Sequence, residues 1–178
     1  MVIVTIGGLP GAGKTTVAKA VAEELGLKHV NIGEIFRGLA EARAMTLEEF
    51  GVYAQKNPDV DKSIDAKTLE LAKQGGVLLE GRLTGPMLKR NGVQCFQVWL
   101  EAPLKVRAER VAKRDGLSFA SAVAATQARE KVEWDRYFDI YGIDLRDTTG
   151  YDLVIDTSEK TPDQIAKEIV AAAKKQRK

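Results

Sequence analysis

An α/β fold built on a five-stranded parallel sheet flanked by helices is predicted for this 178-residue chain by three observations. Short apolar runs alternate with stretches of helical periodicity, the pattern of strand–helix–strand units. Those runs are continuous instead of alternating polar and apolar, as strands covered on both faces are. The first run passes directly into a glycine-rich loop, "GGLPGAGKTT" (Gly7–Thr16), and an amphipathic helix follows. The length fits one compact domain.

The elements follow in order. Val2–Ile6 is the first strand, and Lys14–Leu25 is a helix with Val17, Val21 and Leu25 on one face and Gly26 as its stop. Lys28–Ile32 is the second strand. Three helices come next: Glu34–Ala44, then Thr46–Gln55 opened by a capping box of Thr46 and Glu49, then Pro58–Gln74 stopped by Gly75 and Gly76. Val77–Glu80 and Cys95–Leu100 are the third and fourth strands. Pro103 opens a helix that runs through Arg114 and closes at Gly116, and Ser118–Ile140 is a longer helical stretch. Tyr151–Asp156 is the fifth strand, and Thr161 with Gln164 caps a last helix that turns Ile165, Ile169 and Val170 inward. The core thus reads as residues 1–32, 76–109 and 141–178. Helical excursions at about 33–75 and about 110–140 leave from positions that can cover the glycine-rich loop.

Composition narrows the function. A hydrophobic content of 44% supports a core, while 27 basic against 25 acidic residues leave a net charge of only +2. That balance argues for neither nucleic acid nor a membrane surface. Aromatics are 6% of the chain, and the basic tail Lys174–Lys178 is short, so it reads as a solvated end. The single cysteine, Cys95, excludes an intramolecular disulfide and reads as a buried strand residue. The single histidine, His29, reads as structural. The N-terminus lacks the pattern of a signal peptide, and no apolar run approaches a membrane span. A cytoplasmic protein is expected.

Gly8-x-x-x-x-Gly13-Lys14-Thr15 fits a phosphate-binding loop. Glycines let successive amides turn toward one point, and the helix N-terminus adds to that anion site. Gly8, Leu9, Pro10, Gly11, Ala12, Gly13, Lys14, Thr15 and Thr16 are therefore the expected ATP site. Lys14 can reach the terminal phosphates, and the Thr15 hydroxyl can ligate Mg²⁺. The bland alternative is a turn that merely joins strand to helix. Glu80, ending an apolar run read as a central strand, is placed to hold Mg²⁺ through a water; otherwise it caps a sheet edge.

The loop does not choose the acceptor. A phosphorylated acceptor must be brought beside ATP against charge repulsion, and bidentate guanidinium groups suit that task. Arg37 follows the second strand, and Arg82, bracketed by Gly81 and Gly85, follows the third; both lie where ligands bind in parallel sheets. Arg107, Arg110 and Arg114 share one helix face, and Arg129, Glu133 and Arg136 share another. Together they suggest a cation-lined flap that excludes water, with plain solvated stripes as the alternative.

The stretches "GLPGAGKTTVAKAVAEELGLKHVNIGEIFRGLA", "LLEGRLTG", "WLEAPLKVRAERVAKRDG", "ARE" and "YDLVIDTS" resemble the archaeal-type cytidylate kinases, which are nucleoside monophosphate kinases of the phosphate-loop class. The resemblance covers nearly the whole chain. It implies transfer of the γ-phosphate of ATP, with Mg²⁺, to CMP or dCMP by a monomer. It also implies that the first excursion binds the monophosphate and the second is a short lid. By position, Arg37, Gly81 and Arg82 would hold the acceptor phosphate, and Arg129 the transferring group. Glu133 and Arg136 would hold the acceptor, and Arg110 would face ATP. Bacterial relatives carry a base-reading acid where this chain has Leu83, and a serine where it has Ile32 beside Asn31. Base contacts therefore do not carry over. The polar cluster Gln55, Asn57, Asp59 and Asp61 is one candidate for them, and a solvated loop is the other reading. The rivals are an adenylate, uridylate or shikimate kinase, or a non-catalytic ATP-dependent switch.

Overall fold

A computed structural model describes residues 2–176. The strands are β1 (Ile3–Gly8), β2 (Lys28–Asn31), β3 (Val77–Glu80), β4 (Phe96–Glu101) and β5 (Leu153–Asp156). They form one parallel sheet in the order β2-β3-β1-β4-β5. The helices are α1 (Lys14–Leu25), α2 (Ile32–Glu41), α3 (Leu47–Lys56), α4 (Asp59–Gln74), α5 (Thr84–Arg90), α6 (Leu104–Asp115), α7 (Phe119–Tyr141) and α8 (Pro162–Lys175).

Sheet order follows from burial. β1, β3 and β4 are buried along nearly their whole length and occupy the middle, whereas β2 and β5 are mostly partly or fully exposed and lie at the edges. On one face α1 and α8 cover Val4, Leu78, Val98 and Ile155 with Val17, Val21, Ile165 and Ile169. On the other, Leu79 packs with Ala72 of α4 and with Met87 and Leu88 of α5. Burying a side chain of this size stabilises the fold by about 1.5–3 kcal/mol.

Several boundaries move for local reasons. β1 extends through Gly7 and Gly8, which pair with Trp99 and Leu100. β2 ends at Asn31, not Ile32, because the Asn31 side chain accepts from the Glu34 amide at 3.1 Å and starts α2 there. α2 stops at Glu41 instead of Ala44, whose φ of 51° turns the chain away. The capping boxes at Thr46 and Thr161 both form. α5 has no counterpart in the sequence reading, which leaves that stretch as loop. It has only 7 residues, lacks a side-chain cap and holds Gly85 and Pro86 in its first turn. Gly85 serves close packing there: a Cβ would meet Gln97 Oε1 at 2.7 Å. Of the basic tail, Lys174 and Lys175 belong to α8, whereas Arg177 and Lys178 lie outside the described residues.

Helices α6 and α7 pack against each other, and Arg107 fastens them beneath the glycine-rich loop. Arg107 donates to the Ala102 carbonyl at 2.8 Å and the Pro10 carbonyl at 3.2 Å, and it pairs with Glu130. It is 5% exposed. This corrects the reading of Arg107, Arg110 and Arg114 as one cationic stripe: Arg107 is packing, and only its neighbours line the cleft above. Gly11, with φ at 81°, lies so close that a Cβ would meet the Arg107 carbonyl at 2.5 Å. Arg107→Ala is expected to lower the unfolding free energy by about 3 kcal/mol, because it removes a buried guanidinium that serves the Ala102 and Pro10 carbonyls and Glu130. Urea unfolding measures this, and a loss within error of zero contradicts it.

Candidate active site

The carboxyl ends of β1 and β3 are neighbours, so the loop after β1 and the Gly81-Arg82 turn after β3 face one another. Between them opens a cleft of about 420 Å³. Pro10 through Thr16 line it, with Arg37, Glu80, Arg110 and Arg114 among the other lining residues. Gly8 and Leu9 lie underneath: Gly8 is within β1, and the Leu9 carbonyl accepts from Lys14 Nζ at 3.0 Å. Lys14, Arg37, Arg82, Arg110, Arg114, Arg129 and Lys160 surround the cleft, against the single carboxylate of Glu80. Such a wall suits a polyanion. Burial, with the Arg82 guanidinium next in effect, pushes the Lys14 ammonium well below its ordinary value.

Each cation is held differently. Arg110 donates to the Thr157 hydroxyl at 2.9 Å and to the Thr157 carbonyl at 2.6 Å, which fixes it beside the loop. Arg37 has its side chain half exposed on α2, 4.0 Å from Glu34. Arg114 forks onto Asp115 at 2.6 and 2.7 Å at the rim.

A second cavity adjoins the first and shares Gly33, Gly81, Arg82 and Arg129 with it. Glu133 stands at this junction. One oxygen accepts from Arg129 Nε at 2.9 Å, and the other contacts Arg82. Burial works to raise the Glu133 carboxyl, but Arg82, Arg129 and Arg136 together hold it below its ordinary value. Deeper in, Arg136 lies 3.2 Å from Asp61, covers the Phe36 ring at 4.7 Å and donates to the Tyr137 hydroxyl at 2.9 Å. Burial raises the Asp61 carboxyl from 3.8 to about 6, with Arg136 opposing.

Glu80 is central in the sheet, as its apolar run predicts, and accepts from the Thr15 hydroxyl at 2.6 Å. Its other oxygen meets His29 Nε2 at 3.0 Å. The sequence marks His29 as structural but does not name its partner. The signal was its place in β2, where the register puts Asn31 opposite Glu80 and His29 two residues before it, on the same face. No cluster of three acidic, histidine or cysteine ligands exists among the described residues. One hydroxyl and one carboxylate nevertheless fit Mg²⁺, which takes few protein ligands and completes its shell with phosphates and water.

Of the four insertion residues considered for base contacts, only Asp61 lines the second cavity. Gln55 and Asp59 are exposed, and Asn57 donates to the Tyr53 carbonyl at 2.8 Å. Asp65, Thr68 and Tyr137 also line the cavity and escaped the sequence reading. Cys95 is partly buried just before β4, and burial pushes its thiol up to about 11, which leaves it inert near neutrality.

The Asp61 shift has a thermodynamic consequence. A carboxyl raised in the folded state makes the fold hold more protons than the unfolded chain between about pH 4 and 6. Its contribution to stability therefore declines as pH rises through that window. Asp61→Asn removes the decline. Relative to wild type, the variant should gain about 2 kcal/mol between pH 4 and pH 7.5 in denaturant unfolding. A pH-independent difference contradicts the burial of this charge.

Residues 3–159 match the model of the cytidylate kinase-like family. The cytidylate kinase of Methanopyrus kandleri is 49% identical over 170 residues, covering 92% of this chain and 88% of that protein. That of Pyrococcus horikoshii is 45% identical over 170 residues, covering 96% and 87%. That of Methanocaldococcus jannaschii is 49% identical over 158 residues, covering 88% and 89%. Among solved structures, an uncharacterized protein from Eubacterium ventriosum superimposes with a TM-score of 0.72 at 18% identity, covering 98% of this chain and 99% of that one. Shikimate kinase from Bacteroides thetaiotaomicron gives 0.63 at 18%, covering 99% of both. These two likenesses carry the fold, and the first set carries more: the chain belongs to the cytidylate kinase-like family.

Proposed function

We propose that this protein is an ATP-dependent cytidylate kinase that moves the γ-phosphate of ATP to CMP or dCMP, giving CDP or dCDP. One observation carries the reading beyond family membership. The loop-lined cleft and the second cavity meet at Arg82 and Arg129, with Glu133 between them. A donor phosphate in the first and an acceptor phosphate in the second would face each other across those two guanidinium groups.

The chain's residues divide the work. The loop from Gly8 to Thr16, through its backbone amides from Gly11 onward, and the N-terminus of α1 hold the donor phosphates, with Arg110 beside them. Lys14, Arg82 and Arg129 stabilise the charge on the transferring group, and no nucleophilic side chain is needed because an acceptor phosphate oxygen attacks. Arg37, Gly81 and Arg82 hold the acceptor phosphate, and Glu133 and Arg136 its nucleoside side. Thr15, and Glu80 through a water, would hold Mg²⁺, which when bound neutralises charge across the donor phosphates. The α2–α4 segment acts as the monophosphate-binding insertion and about residues 110–140, from the second half of α6 through α7, as the lid, which keeps water from taking the phosphoryl group. All these residues come from one chain, and both reactants are small soluble nucleotides. A site that needs no second protomer and small soluble reactants suit the reading of a cytoplasmic monomer that needs neither nucleic acid nor membrane as partner. Among the described residues no helix is long and apolar enough to cross a membrane.

The test is steady-state ADP production from Mg-ATP with CMP, dCMP, UMP, AMP, GMP and shikimate offered separately. Rates with CMP and dCMP well above the others support the reading; a preference for AMP or shikimate contradicts it. Tight ATP binding with no acceptor-dependent rate would point to a switch instead. Arg82→Ala should lower kcat/KM for CMP by about 100-fold or more while leaving ATP affinity unchanged. Loss of ATP affinity with CMP affinity intact would put Arg82 on the other substrate.

A further inference from the structure

Glu80 is 3% exposed at the end of β3, and each of its carboxylate oxygens has one partner. Thr15 of α1 donates to Oε1 at 2.6 Å. His29 Nε2 of β2 lies 3.0 Å from Oε2. A carboxylate only accepts, so Nε2 is the donor. No other side chain hydrogen-bonds to Glu80 among the described residues. Thr15 and Glu80 line the cleft of the glycine-rich loop, and His29 does not. An effect of His29 on a bound ion would therefore pass through Glu80.

Dividing the two oxygens in this way matters for Thr15. A hydroxyl has one proton and two lone pairs. With the proton given to Glu80, the lone pairs remain for a cation in the cleft. The last torsion of a glutamate is broad, so a single hydrogen bond leaves its carboxylate free to turn and exchange oxygens. A second donor on the other oxygen removes that freedom. His29 can supply it because the register of β2 on β3 sets Asn31 opposite Glu80 and His29 two residues earlier on the same face. The imidazole side chain is itself only 17% exposed, so neighbours limit its movement.

We propose that His29 is a positioning residue for the cation site: its Nε2–H holds Glu80 Oε2, so that Oε1 keeps the Thr15 proton and the Thr15 oxygen is left open to Mg²⁺. Groups at a metal site are commonly oriented by outer partners of this kind, and losing one lowers metal affinity by about 10–100-fold. The proposal rests on the reading of Thr15 and Glu80 as the Mg²⁺ site.

The experiment has a spectroscopic and a binding arm, and neither reads turnover. His29 is the only histidine in the chain, so ¹⁵N labelling of histidine gives one imidazole to observe by NMR. In wild type at one fixed pH, Nε2 should carry a proton protected from solvent exchange. Adding Mg²⁺ to the complex with AMP-PNP, a non-hydrolysable ATP analogue, should shift that resonance beyond the effect of AMP-PNP alone. A bare Nε2, or a resonance indifferent to Mg²⁺, overturns the proposal, and this arm holds whether or not any variant folds. The binding arm measures the affinity of Mn²⁺, counted by EPR, for the enzyme–AMP-PNP complex. His29→Leu should weaken it at least about tenfold, with metal-free AMP-PNP and CMP binding unchanged, and His29→Gln, which keeps an N–H donor, should recover most of the loss. Adding His29→Leu to Glu80→Gln should cost little more than Glu80→Gln alone, because both act through one carboxylate. Equal weakening of metal-free and metal-dependent binding would make His29 only a packing residue and overturn the proposal, as would additive losses. Glu80→Gln that loses Mn²⁺ affinity beside His29→Leu that keeps it overturns this inference alone. Glu80→Gln that binds Mn²⁺ as wild type does overturns the reading of the Mg²⁺ site, and the inference with it.

Discussion

One buried carboxylate governs the site. Glu133 lies between Arg82 and Arg129, where two guanidinium groups would otherwise repel each other in a region largely removed from water. Burial pulls Arg82 down from its ordinary value, and Glu133 is the main force opposing it. Taking charges out of water costs several kcal/mol per ion, so such a cluster is poor evidence of stability. Its value is geometric: two flexible cations acquire fixed directions before a phosphate arrives, and preorganised charge is what phosphoryl transfer asks of a protein.

The sheet makes that arrangement possible. Placing β1 beside β3 puts the glycine-rich loop and the Gly81-Arg82 turn at one edge, and β2 outside β3 brings α2 to the same edge. Thr157, just after β5, then ties Arg110 to the loop: its hydroxyl lies 3.3 Å from the Ala12 carbonyl. Anions would be met from the loop after β1, the turn after β3 and helices α2, α6 and α7, as expected at the carboxyl ends of a parallel sheet.

How much of this is legible in the sequence depends on whether the signal is local. The loop, the five strands and the capping boxes depend on near neighbours, and the strand boundaries differ by two residues at most, with β3 unchanged. Arg82 and Glu80 are legible because strand ends in parallel sheets have predictable company. α5 is not, because a 7-residue helix with glycine and proline in its first turn draws its stability from packing on β1 and β4. Helical spacing put Arg107 with Arg110 and Arg114, but spacing cannot tell which of them lies beneath a loop 97 residues away. His29 is another non-local case: its meaning comes from strand register 51 residues away. Asp61 is one of four polar candidates, and only its ion pair with Arg136 of α7, 75 positions away, and its place on the second cavity separate it from the other three.

The central claim is that two anion sites meet at the Arg82–Glu133–Arg129 cluster. The most direct measurement is calorimetric binding of a bisubstrate analogue, adenosine and cytidine joined through a polyphosphate chain, alongside ATP and CMP alone. If the sites are contiguous, the analogue should bind at least about 100-fold more tightly than ATP, because its second half binds at a high effective concentration. Glu133→Gln should erode that advantage more than it weakens either single nucleotide. An analogue that binds no more tightly than ATP would contradict the account.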